Sequence, residues 1–287
     1  MPRPPTEADL AAAPGLGVAG NFTGHLEQAG EADDFRGVAA QAGAPKGLFP
    51  FHLPGSDGPL AVDPLSRDTV RLPAGAVAAG HRYQIEPEVA LWCELGYADD
   101  GLPDRVVPVG FAAFNDCSHR SAEPPEDGSP LKISRKKHWG PQSQGCAVDQ
   151  VRLLSGFGPG DTLDHLHLAS YLRRDGRLHP YGEVAPVKGY SYFHGRLLDW
   201  VIDRVRHQAD AGPLEAVAPY FIKHRPSHLL LSIGATRYLP FGEATFLEPG
   251  DEAIVVVFDP REQDATEAVV NPPVPSGSRL VQRVVEG

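Results

Sequence analysis

The 29 prolines and 31 glycines of this 287-residue chain are spread along its whole length, and that distribution limits the fold more than any other feature. Proline removes an amide donor and breaks helix interiors, while glycine weakens helix and strand interiors alike. Without low-complexity repeats, breakers at this frequency mean many short strands joined by turns. One convincing helix remains. Leu197, Leu198, Val201, Ile202 and Val205 recur at the spacing of one helical face, with Arg196, Asp199, Asp203, Arg204 and Arg206 largely off it.

Apolar segments at 16–22, 46–51, 70–75, 106–114, 228–233 and 253–258 read as strands. Another begins near Tyr83, with Val89, Leu91 and Cys93 alternating within it, and a short helix is expected around His25. Mostly strands with few helices predicts a β-rich α+β fold. Residues 15–260 are expected to form a single domain. Residues 1–14 read as a flexible arm, and residues 261–287, with Pro272, Pro273 and Pro275, as an extended tail that wraps the domain or a partner.

Several classes of function are disfavoured at once. With 26 basic against 37 acidic residues the formal charge is −11, which suits neither nucleic acid nor an anionic membrane surface. No apolar run approaches the ~20 residues of a membrane helix, and the first dozen residues do not resemble a signal peptide. Cys93, Cys117 and Cys146 are odd in number and lack metal-type spacing, so the chain reads as reduced and cytoplasmic. Gly15-Leu-Gly17-Val-Ala-Gly20 spells a dinucleotide-binding pattern, but no buried strand precedes it. These glycines read instead as sites of close packing or positive φ.

The informative residues are acids set beside apolar, strand-like runs, because burying a charge is costly unless it is paired or metal-bound. Glu86 and Glu88 lie two apart, so on a strand both face one side and converge on a single ion. An arbitrary Glu-x-Glu is usually a solvated strand face. Here Val89-Ala-Leu-Trp-Cys follows directly, at the start of a core strand. Asp116 follows another apolar run, beside Asn115, where a simple Asn-Asp turn is the ordinary alternative. Three carboxylates make an all-oxygen set that selects Mg²⁺, Mn²⁺ or Ca²⁺ over zinc or copper. His25 is a candidate base, since histidine titrates near neutral pH. Lys136 and Lys137, before His138-Trp139, could set positive charge against a developing enolate; a solvated basic turn is the alternative.

Taken in order, these clusters resemble the fumarylacetoacetate hydrolase superfamily across about residues 16–259. Val18-Ala-Gly-Asn21-Phe22-Thr-Gly-His25 is similar to its Gly-Leu-Asn-Tyr-x-x-His opening, and Glu86-Pro87-Glu88-Val89-Ala90 to its Glu-x-Glu-Leu-Ala motif. Asn115-Asp116-Cys117-Ser118-His119-Arg120 resembles its Asn-Asp-x-Ser-Ala-Arg. Gly234-Ala-Thr236 and Phe246-Leu-Glu-Pro-Gly250-Asp251 resemble its Gly-Thr-Pro loop and Leu-x-Pro-Gly-Asp turn.

The resemblance implies a mixed β-roll or β-sandwich with a few peripheral helices, usually a homodimer. It implies a divalent cation, Mg²⁺ foremost, on Glu86, Glu88 and Asp116, and hydrolase or lyase chemistry on a β-diketo or oxo acid through an enolate. His25 would activate water or move a proton, Lys137 and Arg120 would stabilise anionic groups, and Asn21, Phe22, Thr236 and Arg237 would contact substrate. The chain departs from the pattern where the family has an acid three residues after the histidine. Gln28 stands there, with Glu27 and Glu31 nearby as other candidates for orienting His25. A glutamine can orient an imidazole but cannot stabilise its cation. Decarboxylation or isomerisation of an oxo acid, and non-catalytic binding, are therefore carried as alternatives.

Overall fold

The strands assemble into two main sheets, and the longest, Pro103–Asn115, keeps Pro108 and Gly110 within it. A computed structural model describes residues 3–38, 40–41, 43–271 and 274–287. The larger sheet runs, strand beside strand, through Gly47–His52, Gly15–Ala19, His228–Ser232, Pro87–Tyr97, Pro103–Asn115, Gln144–Cys146 and Leu65–Ser66, with Arg152–Leu153 also on Pro103–Asn115. The second runs through Arg177–Pro180, His167–Arg174, Glu252–Phe258, Ser278–Glu286 and Thr69–Leu72, with Ala185–Pro186 also on His167–Arg174. A small ribbon joins Tyr83–Gln84 to Ser118–His119. The result is the expected strand-rich α+β architecture with few helices.

Apolar residues of both sheets share one core, including Val89, Leu91, Val255, Val257 and Leu280. On the other face of Glu252–Phe258, Ile254, Val256 and Phe258 pack with Ala268 and Val269 of a helix, Ala265–Val270. Burial on both faces explains why that strand reads as continuously apolar rather than alternating. The long helix spans His194–His207 and buries Leu197, Val201 and Val205 against the larger sheet, as its spacing predicts. The three glycines of the rejected nucleotide pattern do what packing requires. A Cβ on Gly15 would fall 2.1 Å from the Phe51 ring and one on Gly17 2.1 Å from the Phe49 ring, while Gly20 has φ +73°.

Both chain ends depart from expectation. Where a loose arm is predicted, Thr6 caps a helix, Glu7–Ala12, in a capping box with Asp9, and Leu10 is buried in the core. Where an extended tail is predicted, Ser278–Glu286 lies inside the second sheet, antiparallel to Glu252–Phe258 and parallel to Thr69–Leu72. Its buried positions alternate through Ser278, Leu280, Gln282 and Val284, so two of its inward residues are polar and the period-two signal is diluted. Pro272 and Pro273 lie outside the described residues.

Candidate metal centre

Two strand ends of the larger sheet bring the acids together. Pro87–Tyr97 and Pro103–Asn115 pair antiparallel with Pro87 opposite Asn115, and the ladder continues one step further as the Asp116 amide donates to the Glu86 carbonyl at 3.0 Å. Glu86 and Asp116 thus sit side by side just past the paired residues, with Glu88 two positions along the same face. Ligand oxygens of Glu86, Glu88 and Asp116 all lie within 4.8 Å of one another, and all three residues are buried. Asn115 fixes the corner. Its Oδ1 accepts from the Glu86 amide at 3.1 Å, and its Nδ2 donates to Gln282 of the C-terminal strand at 2.9 Å.

Lys137 ends the short helix Ile133–Lys137 with its ammonium inside this group, 2.5 Å from Glu86 Oε2 and 2.9 Å from Asp116 Oδ2. Lys136 turns the other way, to Asp34 at 2.5 Å and Glu31 at 3.4 Å. The Arg120 guanidinium reaches Glu86 Oε1 at 2.5 Å, Glu31 at 2.8 Å, Gln84 at 2.6 Å and the Tyr238 hydroxyl at 2.8 Å. Burial alone would raise the Glu86 carboxyl, but Lys137 and Arg120 outweigh it and hold the group well below the usual carboxylate range. Glu88 is pushed well above that range by burial and by the charge of Asp116. Burial likewise pushes Asp116 up to about 7 against the pull of Lys137.

The residues fit a hard cation on two grounds. The donor set is all oxygen. In addition, Glu86 Oε1 and both Asp116 side-chain oxygens are buried without an aligned hydrogen bond, although cationic groups stand close to them. Glu88 differs. Its Oε2 accepts from the Gly234 amide at 2.8 Å and from the Ser232 hydroxyl. The cavity that these residues enclose with His25 and Phe49 has a volume of about 20 Å³, room for an ion or a single water.

Not every predicted residue joins the group. His25 does: it is buried at the start of a short helix, His25–Gln28, with Nε2 3.8 Å from Glu86 Oε2 and Nδ1 without a partner among the described residues. None of the three candidates for orienting it does so, and Glu27 is exposed. Gln28 spends its amide on the Tyr238 backbone, donating at 3.2 Å and accepting at 2.9 Å. Glu31 is drawn to Arg120 and Lys136, the nearest cations. Asn21 is buried but uses its side chain to bond Tyr192 and Ile233 backbone, so it holds loops together rather than facing the acids. Phe22 packs edge-on against Tyr190. Arg237 is exposed and paired with Glu183 at 2.8 Å; an unburied guanidinium finds its own surface carboxylate. Thr236 is buried with its hydroxyl unpartnered.

Ser232, the Gly234 amide and Tyr238 were not singled out by sequence. Ser232 carried a signal, as the one polar residue at the end of the apolar run Leu229-Leu-Leu231. Tyr238 carried none, because its hydroxyl matters only through its contact with Arg120, 118 positions away. Among the described residues no helix is long and apolar enough to cross a membrane.

A family model described as a family of unknown function (DUF5718) matches residues 31–282. No curated protein matches the sequence. Among solved structures, that of Cg1458 with inhibitor is 15% identical with a TM-score of 0.55, covering 96% of this chain and 78% of that one. The 2-keto-3-deoxy-D-arabinonate dehydratase complexed with magnesium and 2,5-dioxopentanoate is 12% identical with a TM-score of 0.51, covering 96% of this chain and 74% of that one. Yeast ynq8, a fumarylacetoacetate hydrolase family protein, is 12% identical with a TM-score of 0.50, covering 98% of this chain and 96% of that one. The chain therefore belongs to the family of unknown function DUF5718, built on the fold of the fumarylacetoacetate hydrolase superfamily.

Proposed function

We propose that the protein is a divalent-cation-dependent enzyme acting on a small oxo acid, as a hydrolase or lyase at a bond beside a carbonyl. The observation that carries this reading is the convergence of Glu86, Glu88 and Asp116 in a buried, all-oxygen group. The fold likeness supports it, since a dehydratase of the same fold is known with magnesium and 2,5-dioxopentanoate. In this reading Glu86, Glu88 and Asp116 hold the cation, with Mg²⁺ the first choice and Mn²⁺ or Ca²⁺ suited to the same donors. When bound, the cation supplies Lewis-acid polarisation of a substrate carbonyl. Lys137 and Arg120, one at each oxygen of Glu86, offset negative charge as it develops on the substrate. His25 moves a proton on the side facing Glu86, and the free hydroxyl of Thr236 is available to the substrate. A homodimer in the cytoplasm belongs to the same proposal.

A second reading, decarboxylation or isomerisation of an oxo acid, is favoured by one observation. Activating an attacking water calls for a base whose cation is stabilised. Here Gln28 and Glu31 are committed elsewhere and His25 Nδ1 has no acid. A reaction that only relocates a proton asks less of His25.

The test is turnover of oxaloacetate and a series of acylpyruvates with Mg²⁺, comparing wild type with His25→Ala. Cation-dependent turnover that falls by about 10²–10⁴ in the variant is expected, and the products separate cleavage from decarboxylation and tautomerisation. No cation-dependent turnover of any of them would favour a protein that binds without catalysing.

A further inference from the structure

His81 and His119 are, among the described residues, the one pair of imidazoles hydrogen-bonded to each other, His81 Nδ1 to His119 Nε2 at 2.9 Å. They lie 38 positions apart in the chain and meet at the open end of the small ribbon, Tyr83–Gln84 with Ser118–His119. Tyr83 pairs with His119 in register, and their rings stack at 4.6 Å with 14° between planes. Trp139 packs on both, 4.9 Å from the Tyr83 ring and 6.4 Å from the His119 ring. The His119 ring is thus half-buried and held by its neighbours, whereas His81 is exposed and open to water.

A hydrogen bond between two neutral imidazoles needs one nitrogen carrying hydrogen and the other bare. If the donor ring moves that hydrogen to its far nitrogen, no charge changes and two bare nitrogens remain 2.9 Å apart. Metal–imidazole bonds are about 2.0–2.1 Å long, so two ligands at a right angle stand about 2.8–3.0 Å apart and two at a tetrahedral angle about 3.3–3.4 Å. The observed separation is that of adjacent corners in a square-planar or tetragonal site, the geometry of Cu²⁺ and Ni²⁺. Burial, with His81 beside it, pushes the His119 imidazole down to about 4, so it is uncharged at neutral pH. The Ser121 hydroxyl adds an oxygen 3.3 Å from the same His119 nitrogen. The two neighbouring guanidinium groups are directed elsewhere, Arg82 over the Phe246 ring at 5.3 Å and Arg120 inward to Glu86 and Glu31.

We propose that His81 and His119 form a surface site for a tetragonal transition-metal ion, Cu²⁺ or Ni²⁺, separate from the carboxylate group in its residues, its donor atoms and its metal. Bound there, the ion cross-links the two strands of the ribbon, one leading into Glu86 and the other leaving Asp116, and stabilises both segments. The site is the same whether or not the carboxylate group takes a cation.

Calorimetry with Cu²⁺ and Ni²⁺ tests this on the full chain in excess Mg²⁺, comparing wild type with His81→Asn and His207→Asn. His81 is exposed, so its substitution leaves the core intact, and exposed His207, 3.1 Å from Asp203, is the rival surface pair. Affinity for both ions is expected to fall by at least about tenfold in His81→Asn, since even an outer partner of a metal ligand contributes about 10–100-fold. It should be unchanged in His207→Asn. Electron paramagnetic resonance of the Cu²⁺ form should show a tetragonal ion coupled to imidazole nitrogen, which assigns it to this site rather than to the all-oxygen group. That coupling should be lost in His81→Asn. No Cu²⁺ uptake by the wild type, equal affinity in His81→Asn, or a loss in His207→Asn instead would overturn the site.

Discussion

Gln28 and Tyr238 exchange a pair of hydrogen bonds, the glutamine amide donating to the Tyr238 carbonyl at 3.2 Å and accepting from the Tyr238 amide at 2.9 Å. The pair ties the short helix that carries His25 to the loop that carries Thr236. Only a side-chain amide can fill both roles, since a carboxylate has no hydrogen to give the carbonyl. Gln28→Glu is therefore expected to lower stability by about 1–3 kcal/mol, read from the urea midpoint. An unchanged midpoint would mean that the clasp carries no weight.

Lys137 stands where two acids need a cation. Removing one member of a buried charge group typically costs about 3–5 kcal/mol, because the remaining charges are left uncompensated. Lys137→Met should show that loss in metal-free buffer, and Mg²⁺ should raise its melting temperature more than it raises that of the wild type. Equal Mg²⁺ shifts in the two proteins would separate Lys137 from the cation's place.

Ser232 aims Glu88 by donating to the oxygen that Gly234 also holds. Groups that orient a ligand in this way typically contribute 10–100-fold to metal affinity. Ser232→Ala should weaken Mn²⁺ binding by about tenfold while the circular dichroism spectrum stays as in the wild type. Unaltered Mn²⁺ affinity would show that Gly234 alone suffices.

Glu215 holds the helix of Lys137 from outside the carboxylate group. It accepts from the Ser134 hydroxyl, and burial pushes its carboxyl up to about 7. Unfolded, a glutamate titrates near about 4.3. Between those values the folded chain keeps a proton that the unfolded chain has released, so the contribution is complete below the unfolded value and is lost as pH rises through about 7. From about pH 5 to about pH 8 the wild type should lose about 2.5 kcal/mol more stability than Glu215→Gln, at about 1.4 kcal/mol per pH unit below about pH 7. Parallel stability curves would rule Glu215 out as the cause.

How much of this was legible in the sequence follows from the range of each interaction. Glu86, Glu88 and Asp116 stand out because acids beside Val89-Ala-Leu-Trp-Cys and Phe111-Ala-Ala-Phe114 conflict with their neighbours, a purely local signal. The strands at 87–97 and 252–258 stand out as apolar runs, an equally local signal. The final strand, Ser278–Glu286, does not, because Gln282 is buried only by virtue of bonds to Asn115 and Thr69, 167 and 213 positions away. Gln28 reads as a weakened partner for His25 until Tyr238, 210 positions on, is brought against it. Asn21 matches a motif position and Arg237 follows one, yet the Tyr192 backbone and Glu183 claim their side chains. Motif position locates a residue; only the packed neighbours decide where its polar atoms are spent.

The most direct measurement is calorimetric titration of metal-free protein with Mg²⁺ and Mn²⁺, comparing wild type with Glu86→Gln and Asp116→Asn, which keep shape and remove charge. The account predicts one cation per chain in the wild type and binding at least about tenfold weaker in each variant. A wild type that takes up no cation, or variants that bind it as tightly, would contradict a metal centre on Glu86, Glu88 and Asp116.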